Sequence, residues 1–141
     1  MRNVLKELKK RILSNQAGKQ EMNERLRQIW PEWKIVKRIG KGSYGEVYEA
    51  VREDFNFVSR AAIKVVSIPT DTSELDSLRT DGLDEESSRS YLEEIVKDFI
   101  NEIQIMESLK TTANVVSIED YRVVEKTEEL GWEIYIRMEL L

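Results

Sequence analysis

Ten residues constrain this chain more than any other stretch: Ile39-Gly40-Lys41-Gly42-Ser43-Tyr44-Gly45-Glu46-Val47-Tyr48. Three glycines at the spacing G-x-G-x-x-G let the backbone turn sharply and approach something bulky and negative without side-chain collision. A phosphate chain is the usual candidate. Dinucleotide-binding folds share this spacing, but they open a helix after the last glycine so that its amides face a pyrophosphate. Here Gly45 is followed by Glu46-Val47-Tyr48-Glu49-Ala50-Val51, alternating polar and apolar with a period of two. That pattern predicts a strand. The glycines therefore belong to the turn of a β-hairpin laid over a ligand.

Composition limits the chemistry around such a turn. The 141 residues include no histidine and no cysteine, which removes imidazole bases and metal ligands, thiolates and disulfides. Carboxylates, lysine and backbone remain. Apolar content of 40% and charged content of 35% fit a folded domain with a solvated surface. No apolar run is long enough to cross a bilayer and the amino terminus lacks the apolar core of a secretory signal, so the expected location is cytoplasmic. Charge is uneven. Residues 1–28 hold eight Lys or Arg against three Glu, and the rest hold fourteen against twenty-four acidic residues. The acidic body argues against nucleic acid as its partner.

Residues 1–30 read as a basic amphipathic helical extension. Val4, Leu5, Leu8 and Ile12 form one stripe and Met22, Leu26 and Ile29 another, with a break expected over Ser14–Gly18. Packing on its own domain with lysines to water is the preferred reading, and a membrane surface or partner helix the alternative. Pro31 ends the helix. Strands follow at Lys34–Ile39, Glu46–Arg52 and Arg60–Val66, with a turn carrying two phenylalanines over Glu53–Ser59. Pro69–Gly82 is polar and acidic, without a core pattern, and is expected to be a mobile loop. Asp81 or Asp84 caps the next helix, where Leu92, Ile95, Phe99, Ile103 and Met106 share one face to about Leu109 or Lys110. Thr111–Asn114 breaks it. Strands at Ile118–Lys126 and Trp132–Glu139 close the chain around a hairpin loop, Thr127–Gly131. The expected fold is α+β: a five-stranded antiparallel sheet with one long helix packed on it.

Ala61-Ala62-Ile63-Lys64 sets a lysine inside an apolar strand. Such an ammonium should face a carboxylate, a phosphate or both. Glu102 shares the helix face of Phe99 and Met106, with Glu93, Glu94 and Glu107 on its flanks. Two plainer readings remain at this point: a purely structural hairpin turn, and an ordinary surface carboxylate at Glu102.

On these residues the sequence resembles the amino-terminal lobe of a protein kinase of the eukaryotic-like serine/threonine type. The glycine-rich loop followed by Val47, the strand Ala61-Ala62-Ile63-Lys64 and the helix segment Asn101-Glu102-Ile103-Gln104-Ile105-Met106 each match a family feature. So do Asn114-Val115-Val116 and Met138-Glu139-Leu140-Leu141, the last resembling the entry to the hinge. The match runs in unbroken order over about Trp33 to Leu141, so residues 31–141 would form the lobe.

The resemblance implies roles. Ile39, Gly40, Gly42, Ser43 and Gly45 would border ATP, with loop amides and Lys64 on its phosphates and Glu102 paired to Lys64. Tyr44 would shield the transferring phosphate. Val47 and Ala62 would cover the adenine, Met138 would be the gatekeeper, and the backbones of Glu139 and Leu141 would bond the adenine edge. Met106 and Ile118 would join the hydrophobic column of an active kinase. The catalytic aspartate and the Mg2+ ligands belong to the family's carboxy-terminal lobe, whose His-Arg-Asp loop is not among these residues. The expectation is therefore a kinase fragment, inactive alone, that phosphorylates a protein substrate when completed. A free-standing regulatory or dimerisation module and a pseudokinase lobe are the alternatives. An uncovered underside with Val47, Ala62, Met138 and Leu141 would favour self-association.

Overall fold

The computed structural model describes residues 2–42, 45–70, 72–108 and 117–140. In chain order they form α1 (Arg2–Arg27), β1 (Lys34–Gly42), β2 (Gly45–Asp54), β3 (Phe57–Ile68), α2 (Thr72–Thr80), α3 (Glu85–Ser108), β4 (Ile118–Glu125) and β5 (Trp132–Glu139). All five strands join one antiparallel sheet in the order β1-β2-β3-β5-β4. The α+β architecture with a five-stranded antiparallel sheet is the one the alternation indicated.

Alternation along β3 splits the core between two faces. Ala61, Ile63 and Val65 join Ile35, Tyr48, Ala50 and Tyr135 beneath Met22, Leu26 and Trp30. Val66 and Ile68 join Ile134, Ile136 and Ile118 beneath Leu92, Val96 and Ile103 of α3 and Leu75 of α2. The sheet is thus covered by α1 on one face and by α2 and α3 on the other.

Three expectations are corrected. Ser14–Gly18 does not break α1, which runs through it as one helix. An exposed glycine costs a helix about 1 kcal/mol relative to alanine, and burying Met22 and Leu26 at about 1.5–3 kcal/mol each outweighs that. The segment expected to be a mobile loop contains α2, because Leu75 and half-buried Leu78, three residues apart, dock one helical face on the core already built. The β2–β3 connection is also tighter than expected. Asp54 pairs with Phe57 around Phe55-Asn56, whose φ values of 46° and 68° make a two-residue turn of the kind that suits strand twist. Phe55 and Phe57 are exposed rather than core residues.

Asp84 caps α3. Its Oδ1 accepts from the Ser87 N–H at 2.7 Å, and that backbone bond holds the carboxyl below its ordinary range. Arg89 then fastens the amino-terminal half of α3 to the sheet, donating to Glu125 at 2.6 Å and lying 5.2 Å over the Trp132 ring. The break expected at Thr111–Asn114 and the segment Asn114-Val115-Val116 lie outside the described residues.

Candidate functional site

The glycine turn joins β1 to β2. Gly40 faces Val47 in register, Lys41 faces Glu46 and Gly42 faces Gly45, with Ile39 the extra residue of a bulge and 45% exposed. Ser43 and Tyr44 lie outside the described residues. The three glycines have different reasons to be glycine. Gly45 has φ +152°, and a Cβ there would collide with the Val65 carbonyl oxygen, so the fold itself requires it. At Gly40 a Cβ would meet only Val47 atoms at 3.7–3.9 Å, and at Gly42 it would meet nothing within 4 Å. Packing within the chain explains neither of those two.

Lys64 pairs in register with Val47 on one side and Ile136 on the other. Alternation puts it on the α3 face with Ala62, Val66 and Ile68. It is half-buried, and among the described residues no carboxylate forms an ion pair with it. Glu49, which faces Ala62, lies 4.0 Å from Lys37 and 3.9 Å from Arg60 instead. Val47, Ala62 and Met138 sit on the same face, with Met138 directly across from Ala62. Val47 and Met138 are half-buried and Ala62 is buried. Together they make a small apolar shelf beside the ammonium.

Glu102 is not brought to Lys64. It is exposed on α3, and no ion pair joins the two. The inward line of α3 runs through Ser88, Leu92, Val96 and Ile103, and Glu102 lies about 100° around the helix from Ile103. Met106 is 39% exposed, whereas Ile118 is buried. At the far end of β5, Glu139 is exposed and its N–H donates to the Ser117 carbonyl at 2.9 Å. Leu141 lies outside the described residues.

The α1 face carries a second arrangement that the motifs did not point to. The Arg137 guanidinium lies 4.8 Å from the Trp30 ring centroid and 5.0 Å from that of Trp33, and donates to Glu119 at 2.9 Å. The Trp30 indole donates to Asp120 at 3.1 Å. Burial opposes ionisation of Asp120, but the Tyr121 N–H, the Trp30 indole and Arg122 together hold its carboxyl below the ordinary range. This stack fixes β5 one residue before Met138. Two tryptophans three residues apart, and an arginine between Ile136 and Met138, were its only signals in the sequence.

A cleft of about 960 Å³ also lies on the α1 face and does not include Lys64. Lys41, Gly42 and Gly45 reach its rim, but seven glutamates line it against three basic residues. A polyphosphate would be repelled there. The Lys64 ammonium, which no carboxylate among the described residues pairs, and the apolar shelf beside it on the α3 face suit an anion better. Among the described residues no group of three or more acidic side chains is placed to hold a metal ion, and no helix is long and apolar enough to cross a membrane. Compared with known proteins, the chain matches no family model and no curated sequence.

Proposed function

We propose that this chain is the ATP-binding amino-terminal lobe of a serine/threonine protein kinase, acting in the cytoplasm. Transfer of the γ-phosphate to a protein substrate depends on a carboxy-terminal lobe that supplies the catalytic aspartate and the Mg2+ ligands. The observation that carries this reading is Lys64: a half-buried ammonium with no carboxylate partner among the described residues, in register with Val47 beside the glycine hairpin. An ammonium kept in that state favours an anion. Hairpin amides and Lys64 would hold the phosphates, and Val47, Ala62 and Met138 would flank the base. Gly40 and Gly42, which the chain's own packing does not require, would allow the close approach.

One observation favours a second reading. Glu102 is exposed and unpaired with Lys64, as suits a lobe that binds nucleotide or a partner without turnover. Binding and transfer are therefore tested separately. Titration of Mg-ATP is expected to show affinity reduced about tenfold or more, roughly 1.4 kcal/mol, by Lys64→Met. Gly42→Ala should weaken binding likewise while leaving the melting temperature unchanged, since a Cβ there would meet nothing within 4 Å. Equal affinity in wild type and Lys64→Met would remove the lysine from the phosphate site and the reading with it. If binding holds but the protein completed by its carboxy-terminal lobe transfers no phosphate, the non-catalytic reading is preferred.

A further inference from the structure

The apolar stripe that docks α1 continues past the sheet. At about 100° per residue, Val4, Leu5 and Leu8 fall on the same side of the helix as Met22 and Leu26. Contacts fix how α1 crosses the strands. Gln16 and Lys19 line one cleft with Val36 and Lys37 of β1, Asn23 Oδ1 accepts from the Ile35 N–H of β1 at 2.8 Å, Arg25 donates to Glu133 of β5 at 3.0 Å, and Trp30 reaches Asp120 of β4. The preceding turns therefore overhang the β1 edge by about 20 Å, at 1.5 Å per residue. Val4, Leu5 and Leu8 there are 62%, 58% and 47% exposed.

On the same face, between the second half of α1 and the β4–β5 hairpin, lies the 960 Å³ cleft. Its glutamates include Glu125, Glu128 and Glu129, while Ile29, Val65 and Val124 give it apolar surface. The overhang carries the complementary charge: residues 1–19 hold six Lys or Arg against one Glu. Two other occupants of the stripe fit less well. A flat anionic membrane under it would cut through the sheet, because the stripe points the same way as the face resting on the strands. Two overhangs packed on each other would bring like charge together.

We infer that the amino-terminal half of α1 docks in the acidic cleft of a second copy of this chain, with Val4, Leu5 and Leu8 toward Val124 and its lysines among the glutamates. The inference does not rest on the nucleotide reading, although Lys41, Gly42 and Gly45 of the glycine hairpin reach the rim of the same cleft. Association is driven by buried apolar surface and steered by charge, so it weakens as the Debye length falls from about 30 Å at 0.01 M salt to about 3 Å at 1 M.

The full chain tests this by light scattering across a concentration series. Lys6→Glu/Lys9→Glu/Lys10→Glu and Glu128→Lys/Glu129→Lys, which leave the Arg89–Glu125 anchor intact, are each expected to raise the dissociation constant at least about tenfold. Mixing the two charge-reversed chains should restore association, an outcome that misfolding cannot produce. With no native cysteine, Leu8→Cys chains mixed with Glu128→Cys chains should cross-link faster than either variant alone. A monomer at every concentration, variants that associate like wild type, or cross-linking no faster in the mixture would overturn the inference. So would a monomeric chain that binds phosphatidylserine vesicles through Leu8.

Discussion

The two faces of the sheet differ in how they treat one half-buried charge. On the α1 face the basic side chains near the core have ring or carboxylate partners among the described residues, although the Arg52 Nε is buried without a hydrogen bond. Arg137 lies between two tryptophans and on Glu119, Arg52 stacks 5.3 Å over Trp33, and Arg25 binds Glu21 and Glu133. On the α3 face Arg89 is held by Glu125 and Trp132, but the one lysine on β3 has no carboxylate among the described residues. Charges that hold a fold together are partnered within it. A half-buried charge without a partner costs stability.

The comparison can be broken first on the α1 face. Leu26 is fully buried between α1 and the sheet, so Leu26→Ala is expected to cost about 2–5 kcal/mol in urea unfolding. A smaller loss would mean that α1 rests on the sheet without sharing its core. Next comes Gly45→Ala, which forces a side chain into φ +152° against the Val65 carbonyl. It should cost about 1–3 kcal/mol and disturb the hairpin itself. Gly42→Ala is the control, and a comparable loss there would contradict the different roles assigned to these glycines.

Arg137→Ala removes two ring contacts and an ion pair, with an expected loss of about 1–2 kcal/mol. Arg137→Lys should recover only part of it, because an ammonium lacks the flat guanidinium that stacks on both rings. Full recovery would reduce the stack to simple charge. A smaller effect of the same face is visible only in alkali. Burial, with help from Glu133, raises the Tyr135 hydroxyl from 10.0 to about 12. A raised pKa adds stability that is complete below pH 10 and is lost as pH climbs toward 12. Wild type should therefore lose more stability across that window than Tyr135→Phe, and parallel curves would show that Tyr135 is as accessible folded as unfolded.

These assignments also show what pattern alone can supply. The period-two run after Gly45 identified β2, the apolar stripe of α3 identified its core face, and Asp84 marked that helix's start. Each of those signals is local. The continuity of α1 is not, because Gly18 is tolerated only once Met22 and Leu26 have a sheet to rest on. The helix α2 escaped notice for a related reason: Leu75 and Leu78 in an acidic stretch mean little until α3 provides a surface. Motif spacing brought Val47, Ala62 and Lys64 to one face correctly, since register within a hairpin follows from alternation. It could not set the rotation of α3, which Leu92, Val96 and the Arg89–Glu125 anchor decide, and so Glu102 lies away from Lys64.

Lys64→Met has the smallest expected effect on folding and is the most informative about the contrast between faces. Methionine keeps much of the side-chain volume and removes an ammonium that no carboxylate balances among the described residues. Desolvation of that ammonium no longer opposes folding, so stability should change by less than about 1 kcal/mol, toward the more stable side. Measured beside Arg137→Ala, it asks whether a charge on each face does the same job. If Lys64→Met destabilises as much as Arg137→Ala, the lysine supports the fold and the distinction between the faces fails. If instead the denaturation midpoint holds or rises while Mg-ATP affinity falls, then the ammonium works against folding and in favour of a ligand. That opposition of stability and binding at one atom separates a site residue from a structural one.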